Sequence, residues 1–528
     1  MLFIYENQDI VLAEQNIFRD GDLTTNYMNV CALPVYNFWH PDVMKIVNYK
    51  YNPLSSCDKT FKPFTQFTNG NFTVVEDRNC SARCFTGSGD YDVKFGEWLK
   101  PGPVGNCEFL EAVCWENSEE VYGYIHTQIT PQPPTKPPIF KNPPNVFVFL
   151  FDSLSTGQAK RSFPNTLSFL SSKLESVEFP FINKVGENSW PNGMALWFGK
   201  LAEAINNENY QGGGRIPADW NRTEHCSIPK DNYSIFEDFK NYGYMTQDID
   251  DWAGQMVNYP NCHGFSKPPT HHYMHPFFLV YERLGMNITK EHLKGKQCRE
   301  EMHASFEYFQ QFVDAYPDRP KFSWWWLNSL GHDSFNGFMR ADKQVLELFE
   351  ENSEMLQNSF VFFMGDHGYR IGRKLFLQSP IGSFEMNNPY LSISIPKHLR
   401  SNHTIMETLR QNSQQLQTHF DTRATMLDIL KFQPNSSFSD RHTIEIPNER
   451  GHSFLRRQPS FPRTCGRLPI PSEYCICRMK RVPIIDKQIQ NRYGHKLIDY
   501  INKKLKEEGF SSKCENFEFR QVQFYDAL

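Results

Sequence analysis

A chain of 528 residues is too long for one hydrophobic core of ordinary size, so two or three folded units are expected. Its net charge is −5 with acidic and basic residues interleaved throughout, so the basic stripe of a nucleic-acid binder is missing and no nucleic-acid partner is expected. No apolar run reaches the roughly 20 residues that cross a bilayer, so no transmembrane segment is expected either.

The chain begins MLFIYENQDIVLAEQ, without the basic n-region and apolar stretch of a signal peptide. Of the thirteen cysteines, Cys31, Cys57, Cys80, Cys84, Cys107 and Cys114 fall early, and Cys465, Cys475, Cys477 and Cys514 crowd the end. No CxxC or His-x-His spacing accompanies them, so disulfides are expected rather than a zinc ribbon. The odd total leaves at least one thiol free or paired with another chain. Sequons at Asn71, Asn79, Asn221, Asn232, Asn287, Asn402 and Asn435 agree with a secretory route, giving an extracellular or secretory-lumen expectation. Either an upstream signal or anchor is missing from the start or the cysteines are reduced; the first is the expectation.

Residues 1–130 read as a disulfide-stapled, β-rich module, with short runs at Phe72-Thr73-Val74-Val75 and Val121-Tyr122-Gly123-Tyr124-Ile125. The proline-rich stretch TPQPPTKPPIFKNPPN then predicts an extended linker over 131–145. Strands are expected at Val146 to Phe151, Phe322 to Leu327, Phe360 to Met364 and Tyr390 to Ile395. Helices are expected at Thr166 to Leu174, Ala341 to Gln357 and Thr422 to Leu430. This alternation predicts an α/β domain over 146–450 with a parallel sheet, followed by a Cys-containing extension over 451–528.

Ligands of such sheets bind beyond the carboxyl ends of the strands, where FLFDS delivers Asp152 and FFMGDHG delivers Asp366 and His367. Two strand ends of this kind can share one divalent cation. The same residue types also serve as a helix cap at Asp152 and an ordinary turn at Asp366-His367. NKVGENSWPNGMALWFGK, residues 183–200, reads as a loop entering a helix at Ser189. A serine hydroxyl there is either an N-cap or, beside a cation, a nucleophile.

Taken in order, the following motifs resemble a known family: NVFVFLFDSLSTGQAKRSFPNTLSFL, ENSWPNGMALWFGK, YGYMTQDIDDWAG, KPPTHHYMHPF, GHDS, FMGDHGYRIG, QSPIGSFEMNNPYLSISIP, LQTHFDTRATMLDIL and RTCGRLPIPSEYCIC. It is an animal family of extracellular proteins known as domain of unknown function 229, within the alkaline-phosphatase-like superfamily. The resemblance runs from about residue 30 to past 480. That superfamily also contains sulfatases, nucleotide pyrophosphatases and lipoteichoic acid synthases.

The resemblance implies an alkaline-phosphatase-like fold and a metal-dependent phosphoesterase or phosphotransferase. In it Asp152, Asp366 and His367 hold one metal and Ser189 is the metal-bound nucleophile. A mixed O and N ligand set of this kind suits one zinc or manganese better than calcium. Asn192 and local backbone N–H groups would stabilise developing charge. His332 would bind a second metal or a phosphoryl oxygen. Two-metal relatives carry Asp four residues before that His, and Asn328 stands there instead, so a one-metal arrangement is expected.

Formylglycine-type sulfatases need C/S-x-P-x-R, and Ser189-Trp190-Pro191-Asn192-Gly193 ends in Gly, so sulfatase chemistry is disfavoured. His419 and His452 read as capping or surface histidines, Trp324 to Trp326 as a buried strand, and PPTHHYMHP as a structural or substrate-side loop. Two functions remain: an enzyme acting on a phosphate- or sulfate-bearing substrate of unknown identity, and a catalytically inactive extracellular binding protein that keeps the fold.

Overall fold

The computed structural model describes residues 31–520, apart from 32, 76, 209–212, 221, 228–229, 232–233, 260, 373, 378, 478–481 and 484–485, together with residues 526–527. The N-terminal stretch read for a signal peptide and the sequons at Asn221 and Asn232 lie outside the described residues.

Strands β1 (Cys80–Gly87), β2 (Val93–Phe95), β3 (Phe109–Glu116) and β4 (Glu119–Thr127) form an antiparallel sheet in the order β2-β1-β3-β4. Because side chains alternate between the faces of a strand, this sheet has two apolar faces with different partners. Leu110, Ala112, Tyr122 and Tyr124 pack with Phe67 and Phe72 of a small neighbouring hairpin. Phe85, Phe109 and Ile125 on the other face run into the core of the following domain. Cys80 faces Cys114 directly across β1 and β3 and is bonded to it, and Cys84 is bonded to Cys107.

After the irregular, proline-rich residues 131–144, a seven-stranded sheet begins. Its strands are β5 (Asn145–Phe151), β6 (Val177–Glu178), β7 (Met245–Asp250), β8 (His272–Tyr273), β9 (Lys321–Leu327), β10 (Ser359–Gly365) and β11 (Leu391–Ser394). They lie in the order β8-β7-β9-β5-β10-β11-β6, parallel from β8 to β10, while β11 runs antiparallel to both of its neighbours. The expected parallel sheet is therefore mainly parallel, with a reversed strand near one edge. β5, β9 and β10 are buried along almost their whole length, which is why they read as unbroken apolar runs.

The helices that cover this sheet include α1 (Thr156–Ser162), α2 (Pro164–Ser172), α3 (Ser189–Gly193), α4 (Ile235–Asn241), α5 (Glu301–Ala315), α6 (Asp342–Glu351), α7 (Pro380–Asn387) and α8 (His419–Lys431). One face packs Phe147, Phe149 and Trp325 against α2, α5 and α6. The other packs Val148, Trp324, Trp326 and Phe362 against α4, α8 and Met194 to Phe198. The class is thus α/β with a mainly parallel central sheet and a Cys-rich N-terminal β region. The helix expected over 341–357 is interrupted at Asn352, and Ser353–Gln357 forms a separate short helix.

Six disulfides and one free, exposed thiol, Cys514, account for the odd cysteine count. Cys57–Cys298 and Cys31–Cys477 cross-link segments 241 and 446 residues apart, tying the chain's early part to its body. Among the described residues, no helix is long and apolar enough to cross a membrane.

Candidate metal centre and cleft

β5 and β10 are neighbours in the sheet, so their carboxyl ends bring Asp152 and Asp366-His367 together from positions more than two hundred residues apart in sequence. Gly365 ends β10 under the backbone of Leu154: a Cβ there would meet the Leu154 carbonyl oxygen at 2.2 Å, so only glycine admits this approach. Ser153 follows Asp152 at φ 68°, a left-handed conformation unusual for a residue with a side chain. That turn points its N–H at Asp366 Oδ1 (3.0 Å) and its hydroxyl at Asp152 Oδ1 (2.8 Å). The His367 N–H donates to the same Asp366 oxygen at 2.8 Å.

Asp366 Oδ2 has no hydrogen-bond partner although the residue is fully buried. It lies 3.3 Å from His367 Nε2, which lies 3.6 Å from Asp152 Oδ1. Ser189 Oγ completes the group, 3.3 Å from Asp152 Oδ2 and 3.4 Å from His367 Nε2. Metal–ligand bonds of about 2.0 Å in a tetrahedron separate neighbouring ligands by roughly 3.3 Å, so this spacing fits zinc, and the imidazole nitrogen among the ligands does not suit calcium, which takes oxygen donors. His367 Nδ1 donates to the Gly368 carbonyl at 2.9 Å, which leaves the Nε2 lone pair available to a metal. His419 Nε2, 2.6 Å from the Asp366 carbonyl oxygen, supports the same turn from α8. The described ligands therefore fit a divalent cation of the zinc or manganese kind.

Electrostatics agree with an exchangeable ion. Burial, and then repulsion from Asp366, pushes the Asp152 carboxyl well above the usual range, and burial also raises Asp366. Burial holds His367 well below the ordinary imidazole value, so it is neutral, as a ligand must be.

Ser189 is the first residue of α3. It does not cap that helix: the Asn188 side chain does, accepting from the Trp190 N–H at 3.2 Å. The serine hydroxyl is thereby left for the metal group. Asn192, expected among the charge stabilisers, is wholly buried and does not line the cleft. Its Oδ1 accepts from Val185 N at 2.8 Å and its Nδ2 donates to the Asn188 and Gly186 carbonyls, so it holds the loop that carries Ser189. Gly193 packs against the Met256 side chain, which would have to shift for any Cβ at this position.

Asp152 and Ser189 form part of the wall of a cleft of about 620 Å³ that also includes His332, Asp333, Asn328, Asp251 and Arg370. His332 Nδ1 is 2.6 Å from Asp333 Oδ1. Asn328 donates through Nδ2 to Asp250 Oδ1 (2.8 Å), Asp251 Oδ1 (3.2 Å) and the Trp326 carbonyl (3.2 Å), so its amide is a brace between buried groups. Across the cleft, burial raises Glu301 to about 7, and Tyr281 donates to it at 2.9 Å. Lys184, buried behind Ser189, is lowered to about 7 by burial and then by the charge of Arg370.

The histidines of PPTHHYMHP have structural partners. His272 bridges Glu108 (2.5 Å) and Tyr316 (2.7 Å), and His275 reaches the Asp90 carbonyl at 2.9 Å. His452 lies beside Phe461, outside the metal group. Arg370, Asn188 and Lys184 are the side chains of this region that the motifs did not single out. A cap-type residue immediately before Ser189, and a cation three residues after His367, were the signals available.

The chain belongs to the family described as "Protein of unknown function (DUF229)", whose model matches residues 45–523. No curated protein matches it by sequence. It is similar to a solved protein of the alkaline phosphatase superfamily from Vibrio parahaemolyticus at 16% identity, covering 56% of this chain and 68% of that one, with a TM-score of 0.35. The soluble domain of lipooligosaccharide phosphoethanolamine transferase A from Neisseria meningitidis is similar at 11% identity, covering 64% and 95%, with a TM-score of 0.34. The C-terminal periplasmic domain of EcEptC from Escherichia coli, in complex with Zn, is similar at 12% identity, covering 66% and 93%, also with a TM-score of 0.34.

Proposed function

We propose that the protein is a secreted or lumenal, metal-dependent phosphoesterase or phosphotransferase with Ser189 as nucleophile, acting on a phosphate-bearing substrate. The observation that carries this reading is the convergence of Asp152, Asp366, His367 and Ser189 at 3.3 to 3.6 Å around one point on the wall of a cleft. A bound zinc or manganese would lower the pKa of the serine hydroxyl and neutralise charge on the phosphoryl group. Asp152, Asp366 and His367 would hold it.

Ser189 Oγ directs its hydrogen toward Asp152 Oδ2 and its lone pairs toward the cleft, where it attacks phosphorus. Asp333 accepts from the Nδ1–H of His332, and the imidazolium form of His332 gives its Nε2 proton to the departing alcohol oxygen. Water or an acceptor alcohol then takes the phosphoryl group from Ser189. Gly193, where a formylglycine motif carries arginine, supports this route over formylglycine sulfatase chemistry. Six disulfides, together with exposed sequon asparagines at Asn71, Asn79, Asn287 and Asn435, support an oxidising, glycosylating compartment.

The test is metal content of the purified protein beside Asp366→Ala and Ser189→Ala, paired with hydrolysis of an aryl phosphodiester. About one metal per chain in wild type and Ser189→Ala, lost in Asp366→Ala, with activity absent from both variants, is the expected result. Wild-type protein that holds metal but turns over no phosphoester would favour the second reading, a binding protein that retains the fold. That reading draws support from Asn328, whose braced amide supplies no second metal carboxylate.

A further inference from the structure

Arg370 stands three residues beyond His367 and borders the same cleft as Asp152, Ser189 and His332. It has neither a hydrogen bond nor an ion pair to any described residue, and its Nε is buried without a partner. Arg370 is half-buried, whereas the fully buried arginines of the domain are engaged. Arg161 grips Glu385 at 2.6 and 2.8 Å, Arg456 holds Asp428 at 2.9 Å, Arg423 reaches Glu449 at 3.0 Å, and Arg463 pairs with Asp421 at 2.5 Å. A guanidinium presents five N–H donors in a planar fork and remains charged at any accessible pH, so one that faces a cleft beside a metal group without a protein partner is free to take an anion.

Formal charge points the same way. Two carboxylates, Asp152 and Asp366, cancel one divalent cation, so the metal centre by itself carries no net positive charge with which to hold a phosphoryl anion. Where a second cation would need a carboxylate, Asn328 has its amide turned to Asp250 and Asp251. Arg370 is a cation bordering the cleft close enough for its charge to be felt at both Asp152 and His367.

Building on the phosphoesterase reading above, we propose that Arg370 is a catalytic residue that replaces a second metal. Its fork binds the non-bridging oxygens of the phosphoryl group in two parallel hydrogen bonds while Ser189 attacks. In that step the Ser189 Oγ–P bond forms and the P–O bond to the alcohol breaks. The Ser189 hydroxyl proton is given up to solvent, and the bonding pair leaves with the alcohol oxygen, which takes a proton from Nε2 of the imidazolium form of His332. Arg370 exchanges no proton; it holds charge that grows in the transition state.

The experiment measures inorganic phosphate binding by calorimetry on zinc-loaded wild type, Arg370→Ala and Arg370→Lys, with kcat and KM on an aryl phosphodiester. Zinc content and melting temperature are followed in parallel. Arg370→Ala is expected to keep its zinc and lose about 10- to 100-fold in phosphate affinity, and at least as much in kcat/KM. Arg370→Lys, a point charge without the fork, recovers only part of both. If either variant is misfolded, the folded one carries the comparison, since lysine also breaks the bidentate geometry. A wild type that turns over substrate alongside variants with unchanged phosphate affinity and kcat/KM overturns the role of Arg370 alone. A wild type that holds zinc yet neither binds phosphate nor hydrolyses the ester overturns the phosphoesterase reading and this role with it.

Discussion

His419 Nε2 lies 2.6 Å from the backbone carbonyl oxygen of Asp366, joining the start of α8 to the turn that carries two of the three buried side chains that could hold a metal. The histidine is itself fully buried, and burial lowers its pKa, so it is neutral and donates from Nε2. Removing it leaves a buried carbonyl unpaired and releases the Asp366 turn. His419→Ala is therefore expected to weaken zinc binding by about 10- to 100-fold, the usual effect of losing a group that orients a ligand. Competition with a chromophoric chelator measures this, and an unchanged zinc affinity would show that the Asp366 turn is rigid without the donor.

Arg161 and Glu385 form the second support of the centre. Two hydrogen bonds of 2.6 and 2.8 Å join them with both side chains almost wholly buried, and Ser155, the N-cap of α1, also donates to Glu385. The pair locks the segment following Asp152 to α7. Glu385→Ala leaves the guanidinium buried and unpaired, which costs about 3–5 kcal/mol in comparable pairs. Urea unfolding should register a loss of that order. A change below about 1 kcal/mol would mean that water reaches Arg161 after the substitution.

Acid should loosen the contact between the N-terminal sheet and the main domain. Burial lowers His292 to about 3 and His275 to about 4. His292 packs against Tyr124 of β4 with ring centroids 4.6 Å apart and the rings tilted by 43°, and His275 bonds the Asp90 carbonyl at 2.9 Å. In the unfolded chain each histidine binds its proton near pH 6.5, so below that value the unfolded state holds more protons and stability falls with pH. The decline runs from about pH 6.5 down to the folded values, at up to about 1.4 kcal/mol per pH unit for each proton. Thermal unfolding from pH 7.5 to 4.5 checks this, with His292→Gln expected to show the shallower dependence. Equal slopes for the two proteins would remove His292 from the account.

How much of this was legible from sequence depends on burial. β5, β9 and β10 lie in the middle of the sheet, so their side chains are apolar on both faces and the runs stand out; the residues that end β5 and β10 are then the natural metal candidates. β7 is equally buried, one strand in from the edge, yet Met245-Thr246-Gln247-Asp248-Ile249-Asp250 has no strand signature. Gln247 and Asp250 are accommodated by tertiary partners, Tyr308, Ser323 and Asn328, which come from distant parts of the chain. Ser189 could be singled out but its freedom from capping could not, because Asn188 and Ser189 are both cap-type residues and only backbone conformation decides between them. Arg370 was invisible for a related reason: a charged residue in a glycine-bounded loop ordinarily faces solvent, and only the assembled cleft shows that it lacks a partner.

Asn328 gives the sharpest test of the one-metal arrangement. Its amide N–H groups satisfy oxygens of Asp250 and Asp251, two buried carboxyls whose pKa values burial raises, further in Asp250 through repulsion from Asp248 and Asp251. Asn328→Asp removes those donors and adds a third carboxyl to the cluster. The new acid can remain in the fold only by keeping its proton, so its folded pKa is raised above the unfolded value near 3.9. A raised acid makes the folded state hold the extra proton, and stability falls as pH rises from the unfolded value toward the folded one. The variant should therefore melt close to wild type near pH 4.5 and progressively below it toward pH 8, with a difference growing by up to about 1.4 kcal/mol per pH unit. Measured in the presence of a chelator, this deficit is free of any metal contribution. Adding zinc at pH 8 should then restore little of it if Asn328 is only a brace. Full restoration, with metal content rising from about one to about two per chain, would instead mean that the cleft needs a single carboxylate to become a two-metal site.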